Sequence, residues 1–68
     1  MTELEMAESA GNNIKVKLKT NKIIKGFCRG FTQAIDNDPE IAEIYVKDKT
    51  GRTHGFFQTE IESIEILE

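Results

Sequence analysis

One cysteine, one histidine, one proline and no tryptophan occur in these 68 residues, and the scarcities exclude several kinds of protein. Cys28 alone cannot make an intrachain disulfide. Cys28 and His54 together fall short of the four ligands of a structural zinc site. A chain this short buries only about 60% of the surface its unfolded form exposes. Small domains therefore lean on disulfides, metals or oligomerisation, and here only oligomerisation remains open. No apolar run approaches the roughly 20 residues that span a bilayer, so no membrane partner is expected. Met1 to Ala10 carry three glutamates and no base, the reverse of an export leader. With a lone thiol, that pattern predicts a reducing, cytoplasmic setting.

Catalytic equipment is equally thin. There is no nucleophile beside a partner base, no cluster of metal ligands and no glycine-rich phosphate loop. The chain is expected not to be an enzyme and to need no cofactor. Cys28, between two glycines in a bent strand, reads as a small core residue. His54 reads as a surface or interface residue. Asp36, Asp38 and Glu40 have a calcium-like spacing, but Ile41 stands where an EF-hand loop has glycine and Pro39 intrudes, so turn chemistry is the simpler reading.

What the sequence does have is alternation and segregated charge. The net charge is −3, yet six of the nine bases (Lys15, Lys17, Lys19, Lys22, Lys25, Arg29) fall in one stretch. The acids gather at the N-terminus, from Asp36 to Glu43, and from Glu60 onward. Thr2 and Glu5 have capping-box spacing and predict a short helix over 2–10, stopped by Gly11-Asn12-Asn13. From residue 14 the period becomes two, with Ile14, Val16 and Leu18 alternating with Lys15, Lys17 and Lys19. Thr20-Asn21-Lys22 is a turn. Ile23 to Phe31 is a longer strand that Gly26 and Gly30 bend or bulge.

After the Asp36–Pro39 loop, residues 41–46 fit either a helical stripe or a strand, and the β-rich Ile44-Tyr45-Val46 favours the strand. Lys47–Gly51 is a hairpin loop, Arg52–Gln58 a fourth strand, and Gln58-Thr59-Glu60 a corner before a last strand around Ser63–Leu67. One helix and five short strands over 14–67 predict a single mainly β domain, 1–68, curled into a small, partly open barrel with the helix plugging one end. The last two strands contain neither proline nor lysine to block an edge, so Phe56, Phe57, Ile64 and Ile66 are candidate oligomer-interface residues. Head-to-tail pairing of unlike edges closes a ring when the rotation allows.

Leu18 to Asp36 resembles the first motif of the Sm/LSm family, which includes the bacterial Hfq-type proteins and has small phage members. The motif runs Leu-x-Asn-Gly-x-x-Val-x-Gly-x-Leu-x-Gly-Phe-Asp-x-x-Met-Asn. Leu18, Ile24, Gly26, Gly30, Phe31 and Ile35 match without a gap, and Cys28 replaces an aliphatic residue. Phe56-Phe57-Gln58-Thr59-Glu60-Ile61 stands where the family has its second motif. The resemblance implies an SH3-type, strongly bent five-stranded antiparallel barrel capped by the N-terminal helix. It also implies a homo-oligomeric ring of about five to seven copies, built by pairing the fourth strand of one to the fifth of the next.

The family binds single-stranded RNA, commonly uridine-rich, at its inner rim. The rim positions of the stacking residue, the Asn and the Arg fall here on Ala34, Asp36 and Phe57. Ala34 gives up a stacking platform worth about 1–3 kcal/mol per base. Asp36 puts a carboxylate where phosphates approach, and Phe57 replaces a cation with a ring. The resemblance thus implies RNA contacts from Lys15, Lys17, Lys19 and Arg29, with Gln33, Asp36, Phe57 and Gln58 nearer the pore. Two readings of the lysine stripe stay open, a phosphate-contacting surface or the solvated face that alternation demands. A ring that holds a protein partner without RNA is the alternative function.

Overall fold

The computed structural model describes residues 2–67. The elements in order are α1 (Glu3–Ser9), β1 (Asn13–Leu18), β2 (Ile23–Thr32), a 3-10 turn (Ala34–Asp36), β3 (Glu43–Lys47), β4 (Thr53–Phe57), a second 3-10 turn (Gln58–Glu60) and β5 (Ile61–Leu67). The strands form one antiparallel sheet in the order β4-β3-β2-β1-β5. The expected mainly β domain with an N-terminal helix is present, but the sheet is not closed into a barrel. β4 and β5 end it as two edges.

The sheet is nonetheless strongly curved. β4 and β5 are joined only by Gln58–Glu60, although they lie at opposite edges. Four flat inter-strand gaps would separate them by about 19 Å, further than three residues reach at about 3.5 Å each. The chain closes that distance because β2 bends. Its first half, Ile23–Phe27, pairs with β1, and its second, Phe27–Thr32, pairs with β3. Phe27 is shared by both ladders, and Cys28, the partner of Val46, also exchanges backbone bonds with Gly11 and Asn12. Arg29 is skipped by the β2–β3 register, so the bulge falls beside Gly30 as the glycines predict. At Gly26 a side chain would run into the Lys47 carbonyl oxygen and Val46 Cγ1, so only hydrogen fits where the strand crosses β3.

α1 starts as its sequence demands. The Thr2 hydroxyl accepts from the Glu5 amide at 3.2 Å, and Glu5 Oε1 accepts from the Thr2 amide at 3.1 Å. Seven residues would not hold a helix alone. Met6 is fully buried in the core, and the buried Ser9 hydroxyl donates to the Met6 carbonyl at 2.6 Å while lying 3.6 Å from Cys28 Sγ. Gly11, at φ +82°, turns the chain out of the helix in a conformation that suits glycine.

The core is Met6, Ile14, Val16, Cys28, Ala42, Ile44, Val46, Phe56 and Ile61. Ala42, Ile44 and Val46 are wholly buried at period two, so the ambiguous segment is a strand. β5 begins at Ile61, earlier than the apolar pattern suggests, because Ile61 pairs with Leu18 and fills the core. No helix among the described residues is long and apolar enough to cross a membrane.

Candidate functional site

Two stretches far apart in sequence meet at one end of β3. Thr32 pairs with Glu43, Glu43 pairs with Phe57, and the Gln58 amide donates to the Ala42 carbonyl at 2.8 Å. Gln33 and Asp36 follow β2 at this end, and Gln33 Nε2 donates to Asp36 Oδ2 at 2.7 Å. Gln33, Asp36, Phe57 and Gln58 therefore flank one corner. Lys19 borders it too, since its backbone amide donates to the Glu60 carbonyl at 3.0 Å.

Carboxylates that the sequence did not flag complete the corner. Glu3 Oε1 accepts from the Ala34 amide at 2.8 Å, tying α1 to the first 3-10 turn. Glu43 Oε1 accepts from Tyr45 Oη at 3.1 Å and from Asn37 Nδ2 at 3.3 Å. Glu60 Oε1 accepts from the Phe57 amide at 3.0 Å. Each acid is placed by a bond to chain remote from it or across a turn, which is why alternation alone did not reveal them. The corner gathers hydrogen-bond acceptors, and Lys19 is tied to it by its backbone bond to Glu60.

The other candidate RNA contacts lie elsewhere. Lys15 and Lys17 point from the half-buried outer face of β1 to the neighbouring β5. Lys15 Nζ is 3.3 Å from Glu65 and Lys17 Nζ is 3.0 Å from Glu62. These exposed pairs are weak and exchangeable, but they neutralise much of the stripe. Arg29 is exposed at the β2 bulge. Among the interface candidates, Phe56 is buried in the core, Phe57 and Ile64 are half-buried, and Ile66 is 48% exposed on the β5 edge. His54 is half-buried, 2.7 Å from Asp48 and stacked on Phe56 with centroids 6.0 Å apart. Cys28 is a buried free thiol.

A groove of about 750 Å³ lies apart from the candidate RNA-contact residues. Its floor includes Ile23, Ile24, Phe27 and Leu67, and Lys25, Lys47 and Lys49 stand around it.

No family model, curated protein or solved structure matches this chain.

Proposed function

We propose that this chain is a non-enzymatic, Sm-like protomer that assembles head to tail into a ring and acts as a scaffold in RNA processing. The observation that carries this reading is the strand order. β4 and β5 are the two free edges, they differ in sequence, and they lie on opposite margins of one curved sheet. Unpaired edges are templates for another chain, and two unlike edges on one protomer give a heterologous contact that closes under rotation. The Sm/LSm resemblance of residues 18–36 supports the same pairing. RNA would be engaged through its phosphates by Lys19 and Arg29, with Gln33, Phe57 and Gln58 meeting bases.

A second reading, a ring that holds a protein and no RNA, is favoured by the carboxylates Glu3, Asp36, Glu43 and Glu60 around that corner. Repeated around a ring, they would repel phosphates. Light scattering of the protein, followed by titration with labelled oligo-uridine and oligo-adenine at low and moderate salt, separates the readings. A ring whose RNA affinity falls with salt supports the first. A ring that binds neither oligonucleotide supports the second, and a monomer at every concentration removes both.

A further inference from the structure

The acidic loop after β2 and the lysine-bearing groove are complementary in charge, and they lie at opposite ends of the β2–β3 ladder. The groove borders the Phe27–Lys47 end, whereas the loop leaves from the Thr32–Glu43 end. A chain therefore cannot fill its own groove with this loop.

The groove floor exposes apolar surface, with Ile23 53% and Phe27 43% accessible. Around it Lys25, Lys47 and Lys49 are exposed and make no ion pair among the described residues. The one acid in the lining, Asp48, is already engaged by Thr50, Arg52 and His54. An occupant must bring an apolar group flanked by negative charge.

The loop offers that combination. Ile35 is 74% exposed, the most accessible large apolar side chain among the described residues. Asp36, Asp38 and Glu40 follow it, all exposed. The knob is held in place before any partner arrives. Ala34 is fastened to Glu3, Gln33 to Asp36, and Asn37 Nδ2 donates to the Ile41 carbonyl at 2.9 Å. Such preorganisation lowers the ordering cost of association, and opposed charges steer the encounter.

We propose that the groove of one copy seats Ile35 of a second copy, with Lys25, Lys47 and Lys49 facing Asp36, Asp38 and Glu40. The contact is heterologous and separate from β4–β5 edge pairing, so it adds a second head-to-tail surface to the protomer.

Sedimentation velocity of the full chain over a range of concentration and salt tests this. Ile35→Asp should weaken the association by about tenfold or more, the effect of losing one buried aliphatic anchor. Lys47→Glu with Lys49→Glu should weaken it similarly. Mixing that variant with Asp38→Lys/Glu40→Lys should restore hetero-association that neither forms alone. An Ile66→Lys edge variant keeps the loop–groove association while losing any edge pairing, so failure of the ring reading is told apart. Unchanged association in Ile35→Asp, or no rescue in the mixture, overturns the proposal. So does oligo-adenine binding that needs Lys47 and Lys49 in a protein whose association ignores Ile35, which would make nucleic acid the occupant.

Discussion

Asp48 Oδ2 and His54 Nε2 meet at 2.7 Å across the β3–β4 hairpin. The same carboxylate accepts from the Thr50 hydroxyl at 2.6 Å, the Thr50 amide at 2.9 Å and the Arg52 amide at 3.0 Å. The Thr50 hydroxyl first, and then the His54 ring and the two amides, hold the Asp48 carboxyl well below the usual carboxylate range. Its folded value lies below its unfolded value of about 3.9. The resulting stabilisation is complete above that unfolded value and is lost as pH falls toward the folded one. Thermal unfolding of the wild type should therefore lose more of its Tm between about pH 6 and about pH 3 than Asp48→Asn does. Equal acid slopes would refute this role.

Gly26→Ala should be among the most damaging single-methyl additions. The new carbon meets backbone at Lys47 and a buried side chain at Val46, neither of which is a flexible chain end. Overpacking of this kind costs about 1–3 kcal/mol, and the backbone contact argues for the upper part of that range. Denaturant unfolding would register the loss as a lowered midpoint at unchanged slope.

The Lys17–Glu62 pair should matter little to stability. Both side chains are about half exposed, at 44% and 51%, and such pairs contribute about 0–1 kcal/mol. A double-mutant cycle with Lys17→Gln and Glu62→Gln measures the coupling. Coupling above that range would mean the β1–β5 contact is drier than its exposure suggests.

Ile66→Lys should abolish edge-mediated self-association without unfolding the protomer. Ile66 is 48% exposed, and it shares a small recess with Glu5 and Glu8, which would receive the new ammonium. The readout pairs solution mass with Tm. Loss of the edge-paired species at near wild-type Tm, with only the loop–groove association left, is the expected outcome, while an unchanged oligomer would exonerate this edge.

Much of the fold could be read from local chemistry. The Thr2–Glu5 cap is complete in four residues, and the alternations at Ile14–Leu18 and Ala42–Val46 each reveal a buried face. What local pattern cannot carry is registry between distant segments. Lys15 and Lys17 look like a free cationic stripe until β5 sets Glu65 and Glu62 beside them. Likewise, Ile61 looks like part of a corner until Leu18, in a strand far upstream, pairs with it. The corner residues Gln33, Asp36, Phe57 and Gln58 were legible as separate motif fragments. Glu3 and Glu43 were not, because their places follow from bonds to Ala34, Tyr45 and Asn37 rather than from spacing.

The bend in β2 divides the molecule mechanically. β1 and β5 hang from one half of that strand, β3 and β4 from the other, and within β2 only Phe27 and Cys28 are bonded to both sides. Hydrogen exchange in native proteins proceeds by cooperative blocks that follow such divisions. The two half-sheets meet at Phe27–Cys28 and again at the Gln58–Glu60 corner, and α1 is fastened at Cys28 by Ser9 and at Ala34 by Glu3. Amide exchange in each half is therefore expected to follow its own ladder once the ties at these two places loosen.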